Sequence, residues 1–208
     1  MSLRSAARRG LAPRLVAVLL AGMFLGGCGT SAHRSAAGAI PPTLLSEARP
    51  IGRGAAFHPP AAGPVVGRCA DLLGPRIPAH VEVFAQDRVV IVAAGIGTRP
   101  PRSQVAGHPV QAACYGALVT LDPTGVVWIR PGARLSVRDL FRAWGQPLAP
   151  TRLASFTSPP RSPVAAFVDG RRWRGAPADI PLTGRAEIVL EIGPRIPPHP
   201  SYTFPPQP

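Results

Sequence analysis

The chain has 208 residues and a formal charge of +13, from 23 basic and 10 acidic side chains. That length allows one domain of ordinary size plus flanking segments, and the acids are spread singly, which excludes a carboxylate pair placed by spacing for acid–base work. All the cationic residues are arginine, and with lysine and asparagine absent this skew reflects a GC-rich coding bias before a function; the positive surplus still favours acidic neighbours such as anionic lipid or wall polymer.

Residues 1–27 read as a secretory signal. Arg4, Arg8, Arg9 and Arg14 precede an apolar run at 15–25, about 11 residues long against the ~20 that a membrane-crossing helix needs. The run ends in "LGGC", with Gly26 and Gly27 before Cys28. These four residues resemble the lipobox of bacterial lipoproteins. The resemblance implies that Cys28 carries a diacylglyceryl group with fatty chains such as palmitate, becomes the mature N-terminus, and holds the protein on the outer face of the cell membrane. Ordinary cleavage at "AGA", 37–39, is the alternative, but that triplet lies too far beyond the apolar run. A mature chain starting at Cys28 loses four arginines and no acid, which leaves +9.

Residues 28–64 form the expected tether. Positions 29–64 hold six prolines and little apolar periodicity, so a disordered or extended segment with a reach of at least ~30 Å is expected. At a Debye length of ~8 Å the membrane charge hardly acts on a domain held at that distance. The anchor, not the charge, then fixes location.

With Cys28 lipidated, Cys69 and Cys114 remain as an even pair in an oxidising compartment, and a disulfide between them is the simplest expectation. Two free buried thiols are the competing reading, because sequence does not show that their Cβ atoms meet.

Residues 65–193 read as a small α+β domain, mostly antiparallel sheet with one packed amphipathic helix. Strands at 80–84 and 88–97 are predicted as a hairpin through Gln86 and Asp87. Strands at 117–121 and 126–129 follow, around the turn Asp122-Pro123-Thr124-Gly125. A helix is predicted from Ser136 as N-cap, with Asp139 three residues on and Val137, Leu140, Phe141 and Trp144 on one stripe; Gly145 and Pro147 stop it. This makes Trp144 a core residue rather than a ligand platform. Asp169-Gly170 is the preferred dipeptide of a type I′ hairpin. In 186–193, Ile188, Leu190 and Ile192 alternate with Glu187, Val189 and Glu191, which predicts a half-buried strand. The Pro-rich tail 194–208 is expected to run extended, with Tyr202 and Phe204 pinned to the domain.

Catalytic and cofactor motifs are missing. G-x-S-x-G, H-E-x-x-H, C-x-x-C and the phosphate-cradling G-x-x-x-x-G-K do not occur, and "GIGTRP" at 95–100 lacks the third glycine of a dinucleotide loop. No nucleophile is nominated with its base, so a catalytic function is not expected.

The segments "AHVEVF…VVIVAAGIG", "CYGALVTLDPTGVVWI", "LSVRDLFRAWGQPL", "VAAFVDGRRW…DIPLTGRAEIVLEIG" and "YTFPP" come in an order that resembles a family of uncharacterised exported bacterial proteins. Those proteins carry an H-x-H pair opening the first strand, a cysteine followed by L-H-T-H-D-x-x-G, and a further histidine. Such a set would suit copper or zinc. Here His80 matches the second histidine of the pair, and Asp122 and Gly125 are kept. Pro78, Val119, Leu121 and Trp128 stand where histidines are expected. On this reading His80 is structural and Asp122 a turn-former bonding its own backbone, while His33, His58, His108 and His199 lie in tether, loop or tail. The order of elements is also similar to β-grasp domains.

The other candidate surface is "RRWR", Arg171, Arg172, Trp173 and Arg174. As the second arm of the Asp169-Gly170 hairpin it would place Arg172 and Arg174 on one face and Arg171 with Trp173 on the other. Arginines beside an aromatic hold phosphate or acidic sugar by bidentate bonding and stacking; a solvated strand with Trp173 covering core is the plainer alternative. The expectation is a lipid-anchored envelope protein, a non-catalytic binding or interaction module without a cofactor, whose partner is an envelope protein or anionic wall polymer and not nucleic acid. The alternatives are a copper or zinc protein using His80 and Asp122, and a hydrolase with a site assembled from scattered residues.

Overall fold

The structure, a computed structural model, describes residues 51–52, 57–58, 64–105, 108–159, 161–195 and 201–208. The expected signal segment, Cys28, His33, His199 and most of the tether lie outside the described residues. No described helix is long and apolar enough to cross a membrane.

The fold is α+β. Its main sheet runs β11 (Arg171–Arg172), β10 (Ala165–Val168), β12 (Glu187–Ile192), β1 (Ile77–Ala85), β6 (Val126–Ile129), β5 (Leu118–Val119), with β2 (Arg88–Val89) added to the end of β1. The central pair, β1 and β12, is parallel, with His80 opposite Glu187 and Val83 opposite Leu190; the pairings of β1 with β2 and β6, of β5 with β6, and of β10 with β11 and β12 are antiparallel. Two small sheets complete the domain: β3 (Thr98–Val105) with β4 (His108–Tyr115), and a meander of β7 (Leu148–Ala149), β8 (Arg152–Leu153) and β9 (Phe156–Thr157).

Strand alternation divides the main sheet into two faces. Ala79, Val81, Val83 and Ala85 of β1 join Val127, Ile129, Ala166, Ile188, Leu190 and Ile192 in the main core, against Val137, Leu140, Phe141 and Trp144 of helix α1 (Val137–Trp144). Each of the larger helix side chains, buried completely or nearly so, contributes about 1.5–3 kcal/mol. The helix starts where expected: the Ser136 backbone N–H and hydroxyl donate to the Asp139 carboxylate at 2.9 and 3.2 Å. It ends at Gly145, whose φ of 73° lets the chain turn back. Trp144 is core, and its indole N–H donates to the Phe57 carbonyl at 2.7 Å.

The hairpin residues Gln86 and Asp87, and likewise Asp169 and Gly170, all have positive φ, as type I′ turns require. Other expectations need correction. The strand expected at 88–97 pairs with β1 only at Arg88 and Val89, with one further bond from the Val90 N–H to the Val83 carbonyl at 2.7 Å; Val89 and Ile91 then bond to Ile51, and residues 94–97 turn. Ile51 and Phe57, within the stretch read as tether, pack on the main core. The β12 strand is buried on both faces rather than half-buried, because Glu187 meets His80 and Val189 packs against Phe84. The β3–β4 hairpin, which places His108 in a strand rather than a loop, carries no readable alternation. Prolines at 100, 101 and 109 weaken its strand signal, and two register shifts interrupt its pairing.

Candidate functional site

Two places gather chemistry. The first is a buried centre on the face of the sheet away from the helix. His80 and Glu82 leave β1 on the same side, and Glu187, opposite His80 on β12, joins them. His80 Nδ1 lies 2.9 Å from both Glu187 carboxylate oxygens, and its Nε2–H donates to the Thr124 carbonyl at 2.9 Å. The carbonyl only accepts, so Nε2 carries a proton; between Nδ1 and the carboxylate one more proton must be shared. His80, Glu82 and Glu187 offer ligand atoms that all lie within 4.8 Å of one another. Asp122 is not in this cluster. It forms the expected turn, its Oδ1 accepting from the Thr124 backbone N–H at 3.2 Å and from the Thr124 hydroxyl.

The tail closes the centre. Tyr202 stacks flat on the His80 ring, with centroids 3.6 Å apart and planes 12° from parallel. Phe204 meets Tyr202 edge-on, and the Arg185 guanidinium lies 5.5 Å from the Phe204 ring centre. Burial, and then the negative charges of Asp122, Glu187 and Glu82, raise the Tyr202 pKa, with a hydrogen bond to Thr124 opposing them. Pro78, Trp128 and Val119 form one cross-strand row beside His80; Trp128 and Val119 are buried in a small cluster with Val126, Ala112 and Tyr115.

The second place is a groove of about 680 Å³ at the end of the β10–β11 hairpin. Arg172, Trp173 and Arg174 line it from one side and Arg138 of the helix from another, with Pro150, Pro163 and Pro177 among its apolar walls. The hairpin pairs Arg171 and Arg172 with β10, and the Trp173 N–H extends it with a bond to the Ala166 carbonyl at 2.8 Å, beyond which no further pairing to Arg174 is formed among the described residues. Trp173 joins Arg172 and Arg174 in the groove, and Arg171 does not line it. The Trp173 ring also packs against the main core, and its N–H donates to the Ala176 carbonyl at 3.2 Å. Arg138 contacts Asp179.

"GIGTRP" is structural. The Gly95 N–H donates to Thr120 O at 2.8 Å, Gly97 O accepts from the Gly116 N–H at 2.8 Å, and fully buried Ile96 sits between. A disulfide joins Cys69 to Cys114, with Cα atoms 5.4 Å apart. Next to it, buried Arg76 donates to Leu73 O and Gly116 O at 2.9 and 2.8 Å, and Arg130 donates to Gly116 O from the other side. Burial and then Arg130 lower the Arg76 pKa to about 10.

Among these residues, sequence reading missed Glu82, Glu187, Thr124 and Arg138. A signal for the first two exists: an acid inside each of two apolar strands, Glu82 with the same parity as His80. Comparison with protein-family models, curated proteins and solved structures finds no match to this chain.

Proposed function

We propose that this protein is a lipid-anchored module of the cell envelope that binds an anionic glycan or phosphate-bearing wall polymer and performs no catalytic step. The observation that carries the reading is the convergence of Trp173, Arg172 and Arg174 on one groove. A sugar ring stacks on an indole, and the flanking guanidinium groups take phosphate or carboxylate oxygens in pairs. The apolar walls favour a ligand with a ring face rather than a free inorganic ion. The anchor rests on the basic start, the short apolar run and "LGGC" ending at Cys28, with the domain held on the outer side of the membrane.

A β-grasp-like topology belongs to the same reading. The support is that the first and last strands of the main sheet are parallel central neighbours, with one helix packed on the sheet.

The test uses the full mature chain and three polymers: poly(glycerol phosphate), a polyuronate and neutral dextran. Binding to one or both of the charged polymers, weakening as salt rises, is expected. It should fall at least about tenfold in the Arg172→Ala/Arg174→Ala double variant, each charge-assisted bond being worth about 1.5–3 kcal/mol. Equal binding to dextran, or unchanged binding in the double variant, overturns the reading.

A further inference from the structure

We propose that His80, Glu82 and Glu187 form a buried site for one divalent transition-metal ion of the zinc class, separate from the groove. The His80 imidazole is already oriented for a ligand. Its Nε2–H is committed to the Thr124 carbonyl, which fixes the ring and leaves Nδ1 as the ligating nitrogen. Metal-binding histidines are held in this way, by a backbone carbonyl on the opposite nitrogen.

Nδ1 points at both oxygens of Glu187, 2.9 Å away. A lone pair facing a carboxylate at that distance needs a positive species between them, a proton or a metal. Glu82 brings a second carboxylate within the 4.8 Å span of the cluster. Zinc bonds of about 2.0–2.2 Å to nitrogen and oxygen place neighbouring ligand atoms roughly 3.3 Å apart; the His80–Glu187 pair at 2.9 Å opens slightly to reach this, and Glu82 adjusts within the 4.8 Å span of the cluster.

The donor set agrees. One neutral imidazole and two carboxylates carry −2, which a divalent ion cancels, and mixed nitrogen and oxygen donors suit zinc better than the hard all-oxygen cations. Occupation exchanges the proton shared by His80 and Glu187 for the metal, and one proton leaves to solvent. Tyr202 lies flat over the ring and Val126 sits opposite His80 on β6, an apolar surround that limits solvent access. Asp122, with its carboxylate turned to Thr124, is outside the set.

The test is zinc titration of the full chain with its disulfide intact, against a chromogenic chelator, with calorimetry in two buffers of different ionisation enthalpy to count protons. One zinc per chain and release of about one proton per zinc are expected. Glu187→Gln and Glu82→Gln, both close in shape, should each weaken zinc by more than about 100-fold, beyond the 10–100-fold that a supporting residue costs. Asp122→Asn should change it little. The proposal fails if the folded wild type takes up no zinc, or if zinc binds equally to whichever of the two glutamine variants folds. The polymer assay does not depend on the outcome, so failure here leaves the groove reading standing.

Discussion

His80 on β1 and Glu187 on β12 lie 107 residues apart in sequence and meet at 2.9 Å across the central parallel pair of the sheet. Both side chains are almost fully buried, so this contact couples the first and last strands through charge as well as backbone. Removing one partner of a buried pair costs about 3–5 kcal/mol. Glu187→Ala should therefore lower unfolding stability by that amount in urea. Glu187→Gln should cost less, because an amide N–H donates to Nδ1 of a neutral imidazole.

The Tyr202 hydroxyl should titrate late. Its pKa is raised above the ordinary value of 10.0, so the folded state holds the phenolic proton more tightly than the unfolded chain does. The stability gained is complete below pH 10 and is lost as pH rises through the folded value. Near-ultraviolet difference absorbance should show one tyrosine ionising above its ordinary pH. Asp122→Asn should bring that step down, and Tyr202→Phe should abolish it while keeping the stack on His80.

Gly97 is required by geometry. Its φ is +75°, and a Cβ there would collide with the Leu118 carbonyl oxygen. Left-handed strain and overpacking together should make Gly97→Ala destabilising by about 2–4 kcal/mol. Gly132, also at positive φ but with nothing within 4 Å of its added Cβ, should lose only about 1–2 kcal/mol in Gly132→Ala. Thermal melts of the two variants make the comparison.

Cys69 and Cys114 close a loop of sequence separation 45. Opening it in Cys69→Ala/Cys114→Ala should cost about 4 kcal/mol through the entropy of the unfolded chain. Denaturant curves of the double variant should show the loss together with a steeper slope, because the denatured chain without the cross-link is less compact and exposes more surface.

Much of the fold was legible because local signals agreed with the final packing. Ser136, Asp139 and Gly145 bound the helix, and Asp169-Gly170 marks a hairpin. Alternation in 187–192 identified the strand but not its second buried face, since that burial depends on residues far away in sequence. The site was less legible for the same reason. Glu187 acquires its meaning only when parallel pairing sets it opposite His80, and register between distant strands is not written in either strand. "RRWR" was visible as composition, but the groove it borders also needs Arg138 of the helix and prolines from other segments, which no local pattern brings together.

The parallel β1–β12 pair also sets the order of events as the chain is made. β1 cannot find its parallel partner until the last strand has emerged, so in a chain delivered N-terminus first the centre of the sheet closes last, after β2 and β6 are already available to β1. Long-range pairing of this kind slows folding. A polypeptide that must be threaded before it folds gains time from that delay, while a truncation ahead of Glu187 would leave the sheet without the strand that completes it.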